Sequence, residues 1–83
     1  MKKLYVGIDP AKTGAATVID EKSLTVAVIL WRQRTKNKVK YTEVQVYDYE
    51  TNKIKKHSIS DPIYVGKIIC DYLETKNAKI YLA

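Results

Sequence analysis

The sequence predicts an α/β domain: a mixed sheet with chain order β-β-β-β-β-α-β and one helix packed on it. Three observations predict it. Residues 3 to 9 form a nearly continuous apolar run, of the kind that fills a central strand covered on both faces. Residues 39 to 49 alternate with period two, which marks strand. Val65, Ile68, Ile69, Tyr72 and Leu73 then recur at helical spacing before a last apolar run at 78 to 83. A helix leading back to a final strand implies a crossover, which sets that strand parallel to the first.

The elements follow in order. The first strand, 3 to 9, stops on Asp9. Residues 10 to 14 turn the chain: Pro10 restricts its own φ, and Gly14 is expected to supply a positive φ. Ala15 to Asp20 is a second strand, and the polar Glu21-Lys22-Ser23 joins it to a third, Leu24 to Arg34, rich in β-branched residues. Residues 35 to 38 make a loop before the alternating strand 39 to 49. Thr51-Asn52-Lys53 turns into an edge strand, Ile54 to Ile59, whose lysines discourage pairing with other chains. Ser60-Asp61-Pro62 opens the helix, with Ser60 or Asp61 as cap and Pro62 in the first position. The helix ends near Lys76-Asn77. Strands 1 to 3 are expected to form an antiparallel meander.

Eighty-three residues allow one domain, 1–83, with no linker, repeat or low-complexity segment. A hydrophobic content of 46% is too high for a disordered chain. The net charge of +6 favours anionic partners, nucleic acid first. No apolar run reaches the roughly 18 residues of a membrane span, and the start carries no signal-peptide core, so a cytoplasmic protein is expected. The one cysteine, Cys70, cannot form a disulfide within the chain and reads as a small buried hydrophobe.

Asp9 is the sharpest candidate. A carboxylate at the end of an apolar strand lies where open sheets place ligands, and it can bind a divalent cation if other oxygens converge. The plain alternative is an Asp that caps the following turn. A second candidate is the basic series Arg32, Arg34, Lys36, Lys38 and Lys40. Every second position is basic, so one face of a hairpin tip is expected to carry the charge and meet phosphates. Lys12 and Thr13 in the first loop are also placed to touch phosphate. Trp31 suits either base stacking or the core. His57 has no partner at metal-ligand spacing and reads as a surface residue.

Gly7-Ile8-Asp9-Pro10, followed by Thr13-Gly14 and a short strand ending at Ile19-Asp20, resembles the amino-terminal signature of RuvC-type Holliday junction resolvases, members of the RNase H-like superfamily. The motif covers roughly 17 residues. The resemblance implies an RNase H-like mixed sheet, with Asp9 as the first catalytic, metal-binding carboxylate. It further implies Mg²⁺ as cofactor and branched or junction DNA as substrate. Nucleases of this kind set two metals at the scissile phosphate and hold them with about four carboxylates. The family draws the later acids from a strand following its first helix and from a carboxyl-terminal helix; neither has a counterpart after Lys79-Ile80-Tyr81-Leu82-Ala83. The chain therefore reads as an incomplete amino-terminal part, inactive as a nuclease by itself. Uncovered sheet and exposed tyrosines leave room for a homodimer. Two other readings stay open: an actin-like nucleotide-binding fragment, which begins with a similar Gly-x-Asp loop, and a non-enzymatic nucleic-acid or protein-binding module.

Overall fold

The computed structural model describes residues 2–11 and 13–82. Six strands form one sheet: β1 (Lys3–Asp9), β2 (Gly14–Asp20), β3 (Thr25–Lys36), β4 (Val39–Asp48), β5 (Lys53–Ile59) and β6 (Lys79–Leu82). Their lateral order is β5-β4-β3-β2-β1-β6. β1 to β5 form an antiparallel meander, and β6 returns parallel to β1, with Leu4 opposite Ile80. The helical part is a single 3₁₀ turn, Pro62–Tyr64, running into α1 (Val65–Glu74).

The α/β, RNase H-like class expected from the sequence is thereby corrected. Strand makes up 59% of the structure, and the helical part is one 3₁₀ turn and one ten-residue helix. The sheet order is set by a five-strand meander that occupies most of the chain. One helix can cover only one face of six strands, so the molecule has two layers at α1 and a bare sheet elsewhere.

Strand parity divides the residues cleanly. Leu4, Val6, Ala16, Val18, Ile29, Val44 and Val46 point to the α1 side and are buried. Val65, Ile69 and Leu73 descend from α1 onto them, one helical turn apart, and complete the core. Ile59, Ile68, Tyr72 and Ile80 pack around its border. Cys70, expected inside, is exposed. It lies on the flank of α1, about 100° round from the Val65–Ile69–Leu73 stripe, where no second layer covers it.

The turns rely on left-handed residues. Asp20 Oδ1 accepts from the backbone N–H groups of Lys22 (2.8 Å) and Leu24 (3.0 Å), holding the β2–β3 turn with Ser23 at φ 63°. Asn52 turns β4 into β5 at φ 55°, and Asn77 reverses the chain after α1 at φ 47°. Asp61 caps the 3₁₀ turn through Ile63 N at 3.1 Å.

The end of α1 is tied to the far side of the sheet by charge. Lys76 Nζ donates to Asp48 Oδ2 at 2.7 Å and lies 3.0 Å from Glu50 Oε1. Lys2 pairs with the other oxygen of Glu50. Burial alone would lower the Lys76 pKa, but Asp48, Glu50 and Tyr72 together raise it well above the usual lysine range. Burial opposes ionisation of Asp48 too, and the hydrogen bond from Lys76 with two backbone N–H donors outweighs it, so its pKa is lowered. Lys2 and Lys76 lower that of Glu50. Burial pushes the Tyr72 phenol up.

Two outcomes follow from this cluster. Lys76→Ala leaves Asp48 half-buried and unpaired, and it should cost about 2 kcal/mol in urea unfolding. Because Asp48 and Glu50 have folded pKa values below their unfolded ones, their contribution is complete above about pH 4.5. Wild-type stability should therefore fall as pH drops through the lowered folded values, and Lys76→Ala should flatten that fall.

Candidate nucleic-acid interface

Asp9 ends β1 on the bare face and is exposed. The register places Asp9, Ala15, Leu30, Gln45 and Lys56 side by side across five strands. The loop after Asp9 is held from below. Trp31, from β3, lies beneath it on the α1 side and donates its indole N–H to Ala11 O at 2.9 Å. Gly14 faces the same ring. A Cβ there would stand 2.6 Å from Trp31 Cζ2 and 2.5 Å from Asp9 O. Gly14 is thus required for space and not, as the sequence suggested, for a positive φ: among the described residues no glycine has one. Of the two roles that suited Trp31, the structure assigns the core, where the ring is 7% exposed. Thr13 joins Gly14, Trp31, Arg32 and Glu43 in lining a shallow cleft of about 340 Å³. Lys12 lies outside the described residues.

Beyond Trp31 the sheet narrows. β2 begins at Gly14 opposite Trp31, and β5 ends at Ile59 opposite Thr42. From Arg34 to Lys36, and from Val39 to Tyr41, β3 and β4 pair only with each other. This two-stranded arm projects from the same end of the sheet as Asp9 and draws the molecule out to 46 Å. It carries Arg34, Lys36, Lys38 and Lys40, with Arg32 and the one acid, Glu43, at its base.

The expected single charged face is corrected in one respect. Arg32, Arg34 and Lys36 share the bare face by parity, whereas Lys40 pairs with Thr35 and points to the other. Lys38 sits in the turn itself. Asn37 and Lys38 have φ of 51° and 64°, the left-handed pair that a two-residue hairpin demands. Asn suits that conformation; Lys at the second position keeps a cation at the tip at a conformational cost.

A polar chain runs along the bare face of β4. The Tyr47 hydroxyl donates to Gln45 Oε1 (3.1 Å), and Gln45 Nε2 donates to Glu43 Oε1 (3.1 Å). Glu43 Oε2 lies 2.8 Å from Arg34 Nε, an ion pair not aligned as a hydrogen bond. Arg34 is thereby tied to Glu43, while Arg32, Lys36 and Lys38 stay exposed. His57 stands on β5 in a groove facing Tyr72 and Asp71 of α1, with Lys53 and Lys55 beside it.

The residues present do not fit a two-metal site. Among the described residues no three acid, histidine or cysteine side chains gather to hold a cation. Asp20 pairs with Leu4 at the opposite end of β1. Glu43 shares the bare face with Asp9 but is three strands away, about 14 Å at ordinary strand spacing. Cation–oxygen bonds are near 2.0–2.6 Å, so these carboxylates cannot share an ion.

No family model, curated protein or solved structure matches the chain. No helix among the described residues is long and apolar enough to cross a membrane.

Two substitutions test the local geometry. Gly14→Ala should destabilise the protein by about 1–3 kcal/mol in denaturant unfolding, because backbone on one side and the indole on the other leave the methyl group no room. Lys38→Gly should stabilise it by about 1 kcal/mol, by releasing the left-handed lysine.

Proposed function

We propose that the protein binds DNA, with the β3–β4 arm lying along the phosphates, as the DNA-gripping part of a RuvC-like nuclease. The observation that carries the reading is the arm itself. Four exposed or ion-paired cations, Arg34, Lys36 and Lys38 on the two-stranded ribbon and Arg32 at its base, are presented beside the Asp9 loop. Two-stranded ribbons fit DNA grooves, and cations on them neutralise phosphates irrespective of sequence. Lys38 supports the reading further, since a cation kept in a conformation that favours glycine has a use other than stability.

In this reading Asp9 is one carboxylate of the RuvC-like set, and the described residues supply no second one to it. The protein grips DNA without cutting it. The DNA–protein attraction is mainly electrostatic, so it weakens steeply with salt.

Fluorescence anisotropy on a labelled duplex and on a four-way junction, from low to moderate salt, tests this. The log–log salt slope for the duplex should be about −3 to −4, and removing Arg32, Lys36 and Lys38 together should reduce it by about 3. Asp9→Asn should bind as wild type does, and Mg²⁺ should produce no cleavage of the junction. Arm variants that bind DNA with unchanged affinity and slope would refute the proposal.

A further inference from the structure

The bare face of the sheet has a composition that the arm does not explain. Tyr5 and Tyr81, opposite one another on β1 and β6, stack with ring centroids 5.2 Å apart and 18° between planes. Tyr5 is 37% exposed. Lys79, on the same face, holds its ammonium 5.5 Å from the Tyr81 ring centre. Across the sheet Val28, Leu30 and Tyr47 form a second apolar ridge, and Leu30 is 42% exposed. Between the two ridges Gly7, Thr17 and Ala15 are small, and Ile19 stands beside Tyr5 on β2. A Cβ built on Gly7 meets nothing within 4 Å, so the space above β1 is open.

Charge borders this face on three sides. Lys3 and Lys79 lie at the β1–β6 edge, Lys56 lies on β5, and Arg32, Arg34 and Lys36 lie where the face continues into the arm. The acids that register places there are Asp9 and Glu43, and Glu43 is taken by Arg34. An anion bearing flat apolar groups matches this surface. Double-stranded DNA does not, because its bases are stacked inside and cannot reach a sheet face. A single strand offers both unpaired bases for the tyrosines and phosphates for the bordering cations.

We infer that the bare face binds single-stranded nucleic acid, with bases stacking on the Tyr5–Tyr81 pair and the strand leading toward Arg32 at the base of the arm. The inference rests on the DNA-binding reading and adds its substrate class. A flexible strand can follow both the face and the arm, whereas a duplex engages the arm alone. Single strands therefore bind more tightly than duplexes of equal length. Thymidine oligomers suit the site as well as any other base, because stacking needs a π-face and no particular hydrogen-bond pattern.

The experiment compares a labelled twelve-nucleotide oligothymidine with a twelve-base-pair duplex by anisotropy. It uses wild type, Tyr5→Ala, Gly7→Trp and the triple arm variant lacking Arg32, Lys36 and Lys38. Tyr5→Ala should weaken the single strand about tenfold and the duplex less than about twofold. A Cβ at Gly7 meets nothing within 4 Å, so Gly7→Trp places its ring over the bare face and tests that face even if Tyr5→Ala unfolds; circular dichroism checks both. It should block the single strand to a similar degree. Folded Gly7→Trp that binds the single strand as wild type does overturns the inference. So does a wild type that prefers the duplex, with arm-dependent binding still intact. Sedimentation supplies a further arm: a wild-type dimer that Gly7→Trp converts to monomer would assign the face to a second copy and overturn it too. A wild type that binds neither probe sinks the DNA-binding reading as well.

Discussion

The indole of Trp31 rests against Gly14, donates its N–H to Ala11 and closes one end of the core beside Val44. Each of these contacts constrains something else. The hydrogen bond holds the loop that follows Asp9, and so sets where that carboxylate stands at the end of β1. The close approach at Gly14 starts β2, and its pairing with Trp31 is the last that β2 makes with β3. Past that row β3 and β4 keep β5 beside them for two residues, and from Arg34 the two long strands continue alone. The arm therefore begins a short way beyond Trp31, once β5 has also ended, and the anchored loop and the cationic ribbon share one end of the sheet.

A second constraint is economy of cover. Ten helical residues carry one apolar stripe, enough to bury Leu4, Val6, Val18, Ile29 and Val44 on one face. Nothing remains for the other face, which must stay compatible with water or with a partner. It does so by pairing its polar groups with one another, through Tyr47, Gln45, Glu43 and Arg34, and by using tyrosine where a covered sheet would use larger aliphatic residues. Lys76 plays the matching part at the border of the core. It joins the end of α1 to Asp48 and Glu50, so that the helix is fastened at its carboxyl end by charge where apolar contact runs out.

Much of the local structure was legible in the residues. Period two over 39 to 49 marked β4, and the Val65–Ile69–Leu73 spacing marked the buried side of α1. Asp9 could be placed at a strand end, Asp20 at the opposite one, and the β5 lysines on an edge. The class of the fold was less legible, because strand count and helix length decide class jointly and a helical stripe reveals nothing about how much sheet it covers. Cys70 is exposed against expectation for the same reason: its neighbours are apolar, but burial depends on whether a second layer exists. Gly14 sits in a turn that suggests backbone freedom, but its role is to make room for an indole 17 residues away, a contact no local pattern reports.

The sequence by itself determined where the chain extends, coils and turns, since side-chain periodicity and turn chemistry act over a few residues. It also determined the positive charge of the 32 to 40 segment. Only the tertiary structure decided that Arg32, Arg34 and Lys36 share the bare face with Tyr5 and Tyr81 while Lys40 does not. It likewise decided that Asp9 stands apart from every described acid on its face. Both depend on strand register across the whole sheet, and register is fixed by packing between residues far apart in the chain.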